Sequence, residues 1–247
     1  DPVFCVSDLL PHLAREQMQK KASELIEGEL LDVIVGNRPR AASDGAEKDQ
    51  DKEAVKATVL DILAEKYDIT EEDLLSAELE IVPAGQARDM GLDRSMILGY
   101  GQDDRSCAYP SLLAQLACEA PKRTAVTILV DKEEIGSRGA TSMSSRFFED
   151  VMAELIEAAG QGTPLALRRC LERSRMLSSD VSAAFDPNYS SVFEAKNSCF
   201  LGRGLTFNKY TGGSGKSGSN DADAEYVALI RRVMDDANVR FQTAELG

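Results

Sequence analysis

The chain has 247 residues, 43% of them hydrophobic and 28% charged, which excludes a disordered chain and supplies material for a substantial core. Acids outnumber bases 42 to 28, for a net charge of −14 and an isoelectric point near 4.6; this argues against contact with nucleic-acid phosphates and suits a cytoplasmic protein. No run approaches the roughly 18 apolar residues of a membrane span, no leader opens the chain, and the five cysteines form no CxxC pair, so membrane, secreted, disulfide-framework and zinc-finger classes are all disfavoured.

Residues 7–27 carry Leu10, Leu13, Ala14, Met18, Ala22, Leu25 and Ile26 at helical spacing, with Ser7 or Asp8 as the N-cap, Pro11 in the first turn and Gly28 after the end. Residues 36–51 read as a polar, mobile loop, followed by a helix over about 50–66 and a capped short turn at Thr70–Asp73. Residues 77–83 alternate apolar and acidic side chains, as in a strand with one wet face. Helical patterns then cover 108–118, 144–159, 165–175 and 221–234. Residues 123–131 form a continuous β-branched run, as in a strand covered on both faces. A short strand is expected over 179–184 and a Gly/Ser-rich loop over 211–219. Strands alternating with helices predict an α/β chain without internal repeats, divided near Leu92. The opening Asp1-Pro2-Val3-Phe4 and the ending Ala244-Glu245-Leu246-Gly247 carry no start or capping signal, so a fragment of a longer protein is expected.

Three acidic sites stand at the edges of apolar elements. Val130-Asp131-Lys132-Glu133-Glu134-Ile135-Gly136-Ser137 ends the apolar run, where open α/β sheets bind ligands. Adjacent residues on extended backbone point to opposite sides, so one glutamate can bind a metal while the other faces a water as general base. The ordinary role of such a pair is a solvated turn. Tyr100-Gly101-Gln102-Asp103-Asp104-Arg105 precedes an apolar helix, where a lone Asp pair ordinarily caps the helix. Ser178-Ser179-Asp180-Val181 heads a short apolar stretch, ordinarily a turn. Together the three suggest a site for zinc, manganese or magnesium.

On these residues the chain resembles the aspartyl aminopeptidase family, family eighteen of the metallopeptidases. The resemblance also rests on Asp8–Ala14 (DLLPHLA), Ser76–Ala84 (SAELEIVPA), Gly91–Ser95 (GLDRS) and Ser179–Ala184 (SDVSAA), continuing through Lys209–Gly212 (KYTG), Gly218–Ala222 (GSNDA) and Gln242–Gly247 (QTAELG). It is closest to bacterial members with the KEEIGS and QDDR forms and covers nearly the whole chain. It implies the central part of a zinc-peptidase-like α/β catalytic domain over 93–247 and an inserted α+β dimerisation domain over 1–92. It further implies two zinc ions, with manganese or cobalt as alternatives, and hydrolysis of N-terminal, often acidic, residues from peptides. The expected assembly is a homodimer that builds a larger homo-oligomer. By the same resemblance Asp103 bridges both metals, Glu133 is the general base, Glu134 ligates one metal and Asp180 the other. Lys209 faces a substrate carboxylate, although a surface lysine is its ordinary role.

The sequence departs from the family pattern in its histidines. Each metal of the family also takes a histidine, one from an N-terminal and one from a C-terminal segment, and neither motif is present. His12, the single histidine, falls in the predicted inserted-domain helix. There it is a candidate substrate-side residue toward a neighbouring subunit, or, in its ordinary role, a half-buried helix histidine. Two rival readings remain. Gly212-Gly-Ser-Gly-Lys-Ser-Gly218 imitates a phosphate loop, but the Walker spacing needs Gly where Tyr210 stands, and Asp221 and Asp223 would repel a phosphate. Alternatively, the chain only associates, as a non-catalytic oligomerisation fragment of such a peptidase. Histidine-partnered serine or cysteine catalysis is poorly served by one histidine.

Overall fold

The computed structural model describes residues 2–41, 53–210 and 222–245. The chain divides into two units, Asp1–Gln86 and Ala87–Gly247. The division falls ahead of a hairpin whose tip holds Leu92.

In the first unit, strands β1 (Cys5–Val6) and β2 (Val33–Ile34) pair antiparallel, with Cys5 opposite Ile34 and Val6 opposite Val33. The helix expected over 7–27 does not form. Its residues break into a turn at 11–13 and 3-10 turns at Gln17–Gln19, Ala22–Glu24 and Gly28–Leu30. The physical reason is visible in the apolar stripe: Leu10, Leu13, Met18 and Ile26 are all exposed, and only Ala14 is buried. A helix of this length draws most of its stability from packing that face.

Helix α1 (Ala54–Tyr67) does form. Asp68 ends it in the left-handed region (φ 57°), with its N–H on the Ala64 carbonyl at 3.2 Å and the Ile69 N–H on the Leu63 carbonyl at 3.3 Å, a Schellman closure. Arg40 pairs with Asp61 on the helix and donates its backbone N–H to the Ala54 carbonyl at 2.9 Å. The capped turn at Thr70–Asp73 is present: the Asp73 carboxylate accepts from the Thr70 N–H (2.8 Å) and hydroxyl (2.7 Å). Residues 77–83 form no strand and pair with none among the described residues, leaving Leu79, Ile81 and Val82 exposed. Alternation prepared a face but not the neighbouring backbone that a ladder requires.

The second unit opens with β3 (Arg88–Met90) antiparallel to β4 (Met96–Leu98). Their turn is built by the Asp93 carboxylate, which accepts from the Ser95 hydroxyl at 3.0 Å. Helix α2 (Gln102–Leu116) follows at once. Residues 124–130 run extended beside it: Gln115 donates to the Ala125 carbonyl at 3.4 Å and accepts from Thr127 Oγ1 at 3.1 Å. They join no ladder among the described residues, and Val126, Ile128, Leu129 and Val130 remain partly exposed, so the doubly covered strand expected there is not observed. A strand apolar on both faces is completed only by what covers it. Helices α3 (Phe147–Ala158) and α4 (Ala166–Glu172) pack on each other as their patterns predict.

The best-formed layer is a β-α-β crossover. Strand β5 (Leu205–Tyr210) pairs parallel with β6 (Phe241–Glu245), and helix α5 (Ala224–Asp236) connects them. Asp223 caps α5 by accepting from the Tyr226 N–H at 2.7 Å. Phe207 and Phe241 stack at 5.4 Å, and Ala244 is buried. Gln242 grips the Phe200 backbone through both its N–H (2.9 Å) and its carbonyl (3.0 Å). Gly204 (φ +102°) lets β5 start beside Arg240, whose carbonyl oxygen would lie 2.4 Å from a Cβ there. The strand expected over 179–184 reduces to one parallel bridge, Ala184 to Cys199.

No large side chain is fully enclosed among the described residues. None of their helices is long and apolar enough to cross a membrane.

Candidate metal centre

The Asp pair is not a helix cap. Gly101, in the left-handed region (φ 72°), occupies the cap position, and no side-chain cap bond is made. Asp103 is non-helical (φ −81°, ψ 114°), and the Asp103–Asp104 peptide is cis. Arg105 folds back over Tyr100, its guanidinium 5.6 Å from the ring centre and donating to the Tyr100 carbonyl at 3.2 Å. The glycine serves the positive φ; a Cβ there would meet only the movable guanidinium of Arg105. Gln102 ties the segment to β4 through the Ile97 carbonyl at 3.1 Å.

The glutamates lie on a turn rather than on extended backbone, which corrects the opposite-faces argument. Lys132 (φ 62°), Gly136 (φ 89°) and Ser137 (φ 54°) reverse the chain, with the Gly136 N–H on the Glu133 carbonyl and the Ser137 N–H on the Lys132 carbonyl, both at 2.8 Å. Both glutamates are exposed. Separation comes from the curvature: carboxylate oxygens of Asp103, Asp104 and Glu134 lie within 4.8 Å of one another, and Glu133 is outside that group.

Desolvation pushes the Asp103 carboxyl above its usual value, followed by the hydrogen bond shared with Asp104 and the negative charges of Asp180, Asp104 and Glu134. Asp180, whose carboxylate accepts from the Val181 N–H at 2.7 Å, adds its charge to the field at Asp103 but stands outside the close group of three. Three carboxylates held this close together are a cost that a divalent cation relieves. The donor set is all carboxylate oxygen, which suits hard cations and is within the ligand range of zinc, though zinc also favours imidazole and thiolate. These residues fit part of a divalent-cation shell. Asp104 is the member that the sequence reading left without a role, although its place in the doublet was the available signal.

Lys209 stands at an irregularity. Asn208 pairs with Ala244 and Tyr210 with Glu245, so Lys209 is the extra residue of a bulge, and its side chain is exposed. Asn208 links β5 to the Asp180 segment through Ser182 Oγ at 3.4 Å. His12 is exposed on the turn at 11–13 in the first unit, not half-buried in a helix; with the helix unformed, no neighbouring turn covers it. The Gly212–Gly218 loop lies outside the described residues.

A chain of mixed helix and strand that brings carboxylates together at loop ends offers the kind of donor set that metal-dependent α/β proteins use. A family model described as aminopeptidase I zinc metalloprotease (M18) matches residues 1–247, and the chain belongs to that family. It is 58% identical over 247 residues to a probable M18 family aminopeptidase 1 from Clostridium acetobutylicum, covering 100% of this chain and 52% of the relative. Among solved structures it is similar to aminopeptidase I from Clostridium acetobutylicum, with 57% identity, a TM-score of 0.84, and coverage of 100% of this chain and 52% of that one. The M18 aminopeptidase of Thermotoga maritima matches with 45% identity, a TM-score of 0.87, and coverage of 100% and 53%. The chain thus spans about half the length of the curated relatives it matches.

Proposed function

We propose that the protein containing this chain is a dinuclear zinc aminopeptidase that removes N-terminal residues, acidic ones among them, from peptides. The observation that carries the reading is the convergence of Asp103, Asp104 and Glu134 in a member of a zinc metalloprotease family. Asp103 would hold both ions, Glu134 one and Asp180 the other. Bound cations supply Lewis-acid polarisation of the scissile carbonyl and ease deprotonation of water. Glu133, exposed beside the cluster, takes the proton of the attacking water and returns it to the leaving amine. Lys209, at its bulge, offers an ammonium to an acidic substrate side chain. The Asp1–Gln86 unit is read as the inserted dimerisation domain, and His12 as its contribution to a neighbouring subunit's substrate site.

The test is elemental analysis of the native protein alongside kinetics. Two zinc ions per active site are expected. Glu133→Gln is expected to keep them while losing about 10²–10⁴-fold in turnover. Zinc near zero would instead support a purely associative role, and full activity in the Gln variant would remove Glu133 as base.

A further inference from the structure

We propose that Ser142 is a positioning residue for the metal centre, holding the glutamate turn in the shape that brings Glu134 to the aspartates; this rests on the metal-centre reading above. Glu134 reaches the aspartates from a tight turn, so the path of that turn's backbone governs where its carboxylate can go. That backbone is closed by Ser137, whose N–H reaches the Lys132 carbonyl at 2.8 Å and the Glu133 carbonyl at 3.4 Å. Ser137 has φ 54°, a conformation uncommon for a residue with a side chain. It persists where surrounding contacts over-determine it.

Serine hydroxyls supply those contacts. Ser142 and Ser144 both donate to the Ser137 carbonyl, and Ser142 is also within 3.3 Å of the Gly139 carbonyl. Ser142 is 7% exposed, the one buried polar residue among those described. Its own carbonyl accepts from the Ser145 hydroxyl at 2.6 Å, and that hydroxyl in turn accepts from the Phe147 N–H at 3.2 Å. Phe147 is the first residue of α3. A continuous path therefore runs from a helix end through Ser145, Ser142 and Ser137 to the turn that carries Glu133 and Glu134. A buried hydroxyl whose one proton goes to the Ser137 carbonyl, with the Gly139 carbonyl as a second, longer acceptor, cannot be exchanged for water at no cost, so its removal releases the turn. Supporting groups behind ligands typically change metal affinity by tens of fold.

The experiment measures Co²⁺ binding to the native protein by chelator competition, together with the visible ligand-field spectrum and thermal unfolding. Ser142→Ala is expected to weaken Co²⁺ about 10-fold and to change the spectrum. Ser142→Thr, which keeps the hydroxyl, is expected to restore both. Wild-type affinity and spectrum in a folded Ser142→Ala protein, even with a lowered Tm, would reduce Ser142 to a structural role and overturn the proposal. If Ser142→Ala does not fold, Ser144→Ala decides, since Ser144 is exposed and serves the same carbonyl: a smaller loss supports the proposal and no change overturns it. Glu134→Gln and Asp103→Asn separate the two readings. If they abolish Co²⁺ binding while the serine variants bind normally, only the positioning role fails; if they leave binding intact, the metal centre itself fails.

Discussion

Residues 7–27 and helix α5 present the same helical signals in sequence, an acidic or hydroxyl cap ahead of a periodic apolar stripe, yet they end differently. In α5, Tyr226, Val227, Ile230 and Met234 are half-buried along one face, and the Asp223 carboxylate holds the first turn. In 7–27 the cap residue Asp8 spends its carboxylate on the Leu9 N–H and the Gln17 side chain, and the stripe faces solvent. Helix α5 also joins, along the chain, two longer strands that pair with each other, whereas β1 and β2 are two residues each. A periodic pattern is thus permission for a helix; a neighbour to bury it is the force.

This contrast can be broken by mutation, beginning with the crossover. Gly204→Ala is expected to cost about 3 kcal/mol in denaturant unfolding, because its Cβ would meet backbone rather than a movable side-chain end. Phe207→Ala, which removes the stack on Phe241, is expected to cost about 2 kcal/mol, below the fully buried range because both rings are half-buried. Asp223→Ala should cost about 1 kcal/mol through the lost cap. Leu13→Ala, at 63% exposure, should stay within about 0.5 kcal/mol. A loss at Leu13 as large as that at Phe207 would mean the stripe is covered in solution, and the contrast would collapse. The smallest effect is a titration. Asp73 is held below its ordinary value of 3.8, first by the Thr70 N–H and then by its hydroxyl. Its stabilisation of that turn is therefore complete above 3.8 and lost as pH falls through the lowered value. The Thr70 amide signal followed by NMR should move in that acid window, and an unchanged signal would deny the cap.

The same division runs through the candidate site. Asp103, Glu134 and Asp180 stood out in the sequence because paired or isolated acids at the ends of apolar runs are poorly placed for a core; of the three, Asp103 and Glu134 come together. Asp104 was hidden by its resemblance to a cap, a role that Gly101 occupies instead. The turn was the ordinary reading of the glutamate pair followed by Gly136, but its shape was not legible, since Lys132 and Ser137 are ordinary residues in left-handed conformations. The serine run at 142–145 carried no signal of its own; its role appears only when the hydroxyls are seen on the Ser137 carbonyl.

By itself the sequence determined the features whose partners lie within a few residues. Helices α1 to α5, the Schellman end at Asp68, the Thr70–Asp73 cap and the acidic doublets are closed by bonds between near neighbours. Tertiary structure decided the rest. Whether 124–130 is a paired strand, whether 7–27 coils into a helix, and which carboxylates converge all depend on atoms far along the chain, because an apolar face or an acidic side chain specifies what it needs but not where that partner stands.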